Sequence, residues 1–114
     1  MAIQTTVEKN NLATDYGTDA AYGAVYTTAP GATAGTEPSG GSPAYARKAL
    51  SWGAPTNGVI TATATFDIPA GATIVGIGVH TAVTAGTYLD GASITSQAFA
   101  TQGTLAVTFT YTQT

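Results

Sequence analysis

The run from Val59 to Ile68 alternates with strict period two: Ile60, Ala62, Ala64, Phe66 and Ile68 fall on one side, and Val59, Thr61, Thr63, Thr65 and Asp67 on the other. That pattern lays one face of a strand on a core and turns the other toward solvent or a partner. A second run near the C-terminus repeats it, with Leu105, Val107, Phe109 and Tyr111 set against Ala106, Thr108, Thr110 and Thr112. Between the two, the segment from Thr73 puts Val75, Ile77, Val79 and Val83 on one side. Its opposite side holds Gly76 and Gly78, which leave room for a bulky group crossing the sheet; Trp52 or one of the tyrosines is the expected occupant. Turns are signalled at Pro69-Ala70-Gly71, Thr84 to Thr87 and Asp90-Gly91. Several short strands punctuated this way predict an all-β fold, a small antiparallel β-sandwich or barrel.

Upstream of these runs the pattern weakens. Residues 5–16 form the only candidate helix, with Thr5 or Thr6 as cap, Val7 and Leu12 facing inward, and Gly17 as its end. Ala21 to Thr28 reads as a short strand, with Tyr22, Ala24 and Tyr26 on one face and Val25 on the other. Between it and a further expected strand at Ala46 to Trp52 lies Pro30 to Arg47, PGATAGTEPSGGSPAYAR, which carries three of the five prolines. A loop of that length is uncommon in a compact domain and is usually functional or disordered. At 114 residues the chain is long enough for one domain spanning 1–114.

Composition narrows the function classes. Hydrophobic residues make up 44% of the chain, so it has the material for a core, whereas charged residues make up only 8%. Polarity comes instead from Thr, Ser, Gly and Asn, a surface suited to packing against other subunits. The net charge of -3 argues against nucleic acid, which requires a basic stripe. There is no cysteine, hence no disulfide framework. The N-terminal MAIQTTVEKNN lacks the basic and apolar regions of an export signal, so synthesis in the cytoplasm is expected. No segment approaches the roughly 20 apolar residues of a membrane span.

Chemistry finds little support. His80 is the only histidine, and no Cys or second His completes a zinc site, so a structural or solvated role is the commoner fate. Glu8, Asp15, Asp19, Glu37, Asp67 and Asp90 are scattered singly, with no local carboxylate pair. No serine sits in a G-x-S-x-G elbow, and GATAGTEPSGG lacks the G-K-[ST] ending of a phosphate loop. Asp90 reads as a turn residue rather than a calcium ligand. The six tyrosines offer a sugar platform, although core and interface packing is their usual use. No catalytic residue, cofactor or metal is expected.

The order of a short helix, then AYGAVYTTAPGATAGTEPSGGSPAYARKALSWG, then TFDIPAGATIVGIGVHTAVTAGTYLDG resembles a group of small virion proteins of actinobacterial tailed phages. The resemblance covers nearly the whole chain, and GGSPAYAR, Gly40 to Arg47, is its most specific part. VHTAV departs from it, since that group often carries an aromatic residue there. The resemblance implies a non-enzymatic virion component, labelled either as a head decoration protein or as a tail or fibre protein. Small size and the lack of a repeated shaft favour a decoration protein on the capsid surface. It would bind the major capsid protein and copies of itself, as a homo-oligomer with a trimer favoured. A minor tail or tail-fibre-associated protein contacting the host surface is the alternative.

In either setting the long loop, 29–45, is expected to be an extended arm whose backbone pairs with a neighbour by strand addition. Tyr45 would anchor it, and Arg47 would pair with carboxylates or carbonyls across the contact. Glu37, Pro43 and Lys48 complete the expected partner-binding set.

Overall fold

The computed structural model describes residues 1–114. Helix α1 spans Thr6–Asp19, and six strands follow: β1 Tyr22–Tyr26, β2 Lys48–Ala49, β3 Val59–Ile68, β4 Thr73–His80, β5 Tyr88–Ala98 and β6 Gly103–Thr112. They form a four-stranded antiparallel sheet in the order β2-β1-β4-β5 and a two-stranded antiparallel sheet of β3 and β6. The two sheets pack as a small β-sandwich, the first of the two architectures, sandwich or barrel, that the alternation predicts.

The core follows directly from that alternation. β3 and β6 pair without a break from Val59↔Thr112 to Ile68↔Gly103. Cross-strand partners share a face, so Ile60, Ala62, Ala64, Phe66 and Ile68 line up with Tyr111, Phe109, Val107 and Leu105 on the inner side. Phe66 and Ile68 are fully buried, in a cluster with Val25, Ile74, Val79, Val107 and Phe109. The outer side is a field of exposed threonines: Thr61, Thr63 and Thr65 on β3, Thr108 and Thr110 on β6.

The helix begins at a Thr5 N-cap. The Thr5 hydroxyl accepts from the Glu8 amide at 3.3 Å, three residues ahead of it, with Glu8 in the first turn. Gly17 does not end it. A Cβ there would lie 3.1 Å from both Trp52 and Ile60, so the glycine lets the helix press onto the body, and the helix runs on to a C-cap at Ala20. Tyr16 stacks on Tyr111 with ring centroids 3.7 Å apart and meets Trp52 edge-on at 5.9 Å, plugging one end of the sandwich.

Other expectations shift. The strand anticipated at Ala46 to Trp52 shrinks to Lys48–Ala49, because the Trp52 indole turns away to donate to the Ala20 carbonyl at 2.8 Å. Val83 lies in the loop after β4 and is 46% exposed, not part of an inner face. Asp90-Gly91 is no turn but part of β5. β5 pairs with β4 around two irregularities: Leu89 has no partner between Asp90 and Tyr88, and Ile94 to Ser96 sit opposite the single residue Val75.

Gly76 and Gly78 do make room, and Tyr26 and Pro30 take it instead of Trp52. A Cβ at Gly78 would run into the Tyr26 hydroxyl, and one at Gly76 would run into the Pro30 ring. Gly78→Ala should therefore displace a fully buried tyrosine and lower stability by about 1–3 kcal/mol in urea titrations; an unchanged midpoint would refute this packing.

Candidate interaction site: the strap over the four-stranded sheet

Residues 27–47 leave β1 and fold back over the outer face of the four-stranded sheet as a strap. The reason lies in the pairing register. Tyr22↔His80↔Tyr88, Ala24↔Gly78↔Gly91 and Tyr26↔Gly76↔Ser93 share this face, so three glycines form a trough between aromatic walls. Pro30 drops into the trough between Gly76 and Gly91, and the Tyr88 hydroxyl donates to the Gly31 carbonyl at 2.8 Å. Thr36 closes the strap on Thr27: the Thr27 amide donates to its carbonyl at 2.7 Å, and its own amide donates to the Thr28 hydroxyl at 2.8 Å.

Under the strap sits a buried polar pair. The Tyr26 hydroxyl and His80 Nε2 lie 2.6 Å apart, with Tyr26 fully buried and His80 only 3% exposed. The expectation of a structural histidine fits this geometry. Burial lowers the His80 pKa, the nearby Arg47 guanidinium lowers it further, and Glu37 opposes them. Burial likewise pushes the Tyr26 hydroxyl far above the ordinary tyrosine value, so this pair is neutral.

Three of the five expected partner-binding residues converge at the end of the strap. Arg47 grips Glu37 with two parallel bonds, Nε to Oε1 at 3.0 Å and Nη2 to Oε2 at 2.9 Å, the fork geometry in which a guanidinium binds a carboxylate best. Its remaining Nη1 donates to the Ala82 and Ala85 carbonyls at 3.0 and 2.8 Å, tying the strap to the β4–β5 loop. The Tyr45 hydroxyl donates to Glu37 Oε1 at 2.8 Å and accepts from the Val25 amide at 3.2 Å, while its ring packs against Phe66. Burial pushes the Glu37 carboxyl up, but the bonds from Arg47 and Tyr45 outweigh it and hold the carboxyl below its ordinary value of 4.5.

These bonds all close within one chain. Arg47 finds the carboxylate and the carbonyls that its chemistry requires, on its own domain. Pro43 and Lys48 stand apart: the Pro43 carbonyl accepts from Gln102 Nε2 at 3.2 Å, and Lys48 Nζ lies 3.6 Å from Asp67. The loop expected as an extended arm paired with a neighbour is thus a cover held on its own domain. Sequence reasoning missed Tyr26, His80 and Tyr88 as its seat, although the i, i+2 spacing of Gly76 and Gly78 signalled a bulky group above them.

Residues 8–113 match the family model described as podophage GP4 fiber I protein gp80. The chain belongs to this phage fibre family. No match is found among curated proteins or among solved structures. The family match makes the chain a phage structural protein and a virion component.

Arg47→Ala leaves Glu37 without its main partner and should cost about 2 kcal/mol, as expected for hydrogen bonds to a charged group. Tyr45→Phe, which strips only the hydroxyl, should cost about 1 kcal/mol; both are read from chemical denaturation midpoints. Acid should destabilise the fold in two stages. His80 titrates lower in the folded chain than its ordinary 6.5, so the folded state binds fewer protons, and stability present above pH 6.5 falls as pH drops. Glu37 adds a second loss below its ordinary 4.5, for the same reason. His80→Phe should remove the upper stage alone in melting curves taken across pH.

Proposed function

We propose that this protein is a non-enzymatic structural subunit of the tail-fibre apparatus, and that it contributes contact surface rather than chemistry. The observation carrying this reading is the family match across residues 8–113. It favours the tail or fibre alternative over the capsid decoration role that small size suggested. The surface agrees with a packing function. The exposed threonines on β3 and β6 form an uncharged face of hydroxyls and methyls, with Lys48 and Asp67 paired at one edge. No tyrosine is fully exposed, Tyr26 being buried and the other five half-buried, so the tyrosines present little open surface for stacking host glycans.

The test is location. Reconstruction of virions carrying this protein should place its density on the tail or its fibres, with a copy number that is a multiple of the tail symmetry. Density on the capsid shell with none on the tail would restore the decoration reading and overturn this one.

A further inference from the structure

Three of the four sheet edges are closed by the chain itself. β1 is covered by β2, by the Tyr45 hydroxyl and by Thr36. β3 is covered in part by the Gly53 amide, which donates to the Thr61 carbonyl at 3.0 Å, and by the Lys48–Asp67 pair. β5 is broken by its irregular register, and its Gly91 amide is taken by Asp90 Oδ1 at 2.9 Å. Bulges, charges and covering segments are the usual protections of an edge. β6 has none of them. It pairs with β3 in unbroken register, carries no charge and no proline from Gly103 to Thr112, and receives no backbone bond on its far side.

The flank beside this edge is also largely apolar, and it is bridged at its helical end, where the Tyr16 hydroxyl donates to Asp90 Oδ2 at 2.9 Å. The four-stranded sheet is wider than the two-stranded sheet facing it, and β5 overhangs: its inward residues Asp90 and Ala92 are exposed. Ile77, Ile94 and Leu105 pack on the core from this side but stay only partly buried. At the helical end the flank deepens into a groove of about 80 Å³ bounded by Tyr16, Trp52, Ile77, Asp90 and Phe109. A slot beneath an overhanging strand admits one extended segment rather than the edge of a second sandwich.

One segment of this chain has the matching need. Met1 to Gln4 precede the helix and make no hydrogen bond to the body. Met1 and Val7 are the two most exposed large hydrophobic residues of the chain, whereas Ile3 between them is half-buried. In an extended arm Met1 and Ile3 fall on one face.

We propose that Met1 to Thr5 of a second copy adds as a strand along the free edge of β6, with Met1 and Ile3 entering the flank between β5 and β6. One-way arm donation is a heterologous contact that builds a ring where its rotation closes, whereas two copies that exchange arms form a two-fold pair. Main-chain bonds supply the affinity and the apolar slot supplies the register. The inference is independent of where the protein sits on the virion, since its test uses the isolated chain.

Light scattering of the purified full chain at about 100 µM, where mass action favours association, should give a defined oligomer well above the 11.3 kDa monomer. Removal of residues 1–4, or Ile3→Asp, should return it to monomer with unchanged circular dichroism. Because the chain has no cysteine, mixed single-cysteine chains report the contact directly. Ile3→Cys should cross-link to Ala92→Cys or Leu105→Cys and not to Thr63→Cys on the threonine face. A full chain that stays monomeric, an oligomer that survives loss of the arm, or cross-linking to Thr63→Cys equal to that on the flank would each overturn the proposal.

Discussion

The course of the strap follows from one requirement, that the amides along the outer edge of β1 find partners. β2 serves only Tyr22 and Gly23 before its two residues end. Beyond them the Val25 amide takes a tyrosine hydroxyl and the Thr27 amide takes a loop carbonyl. A side chain thus stands in for a ladder rung. That substitution fixes Tyr45, and Tyr45 fixes Glu37, whose second oxygen and negative charge then hold Arg47. The Arg47 bonds to the β4–β5 loop complete a belt around one end of the sandwich. Such a belt is cooperative: each polar group is satisfied only while the others stay in place.

The glycine trough is the other half of the arrangement. Because β4 and β5 present glycines side by side on the outer face, a tyrosine and a proline lie almost flat on the backbone. The face becomes a second, thin core with the strap as its roof. A histidine in that core has no water to solvate a charge, so it remains neutral against the tyrosine hydroxyl. The chain therefore has three layers, threonine-faced sheet, glycine-floored sheet and strap, and its low content of charge follows from them. Its polar groups are spent on internal bonds, and its outermost sheet is solvated by hydroxyls.

Legibility in the sequence tracked the regularity of the structure. β3 and β6 were readable residue by residue because neither has a bulge and each buries only one face. β5 was not. Its unpartnered Leu89 and the Ile94 to Ser96 insertion break the period of two, and Asp90-Gly91 carries the composition of a turn while lying within a strand. Gly17 misled in the same manner: a helix-ending residue by conformational preference, it stands mid-helix because a closer approach to Trp52 and Ile60 outweighs the propensity cost. In the candidate site, chemistry was legible and address was not. Arg47 was assigned a carboxylate and carbonyls, and it has them, but nothing local indicates that they come from Glu37 and the β4–β5 loop of the same chain.

Sequence alone determined the all-β class, the inner faces of β3 and β6 and the existence of a crossing group above Gly76 and Gly78, because side-chain periodicity is a local property of the extended backbone. Tertiary structure decided which residue crosses, where the strap lies and which sheet edge stays open. Those outcomes depend on contacts between residues far apart in the chain, Tyr26 with His80 and Arg47 with Ala85 among them. The energy of such contacts exists only once the two sheets have set the distances.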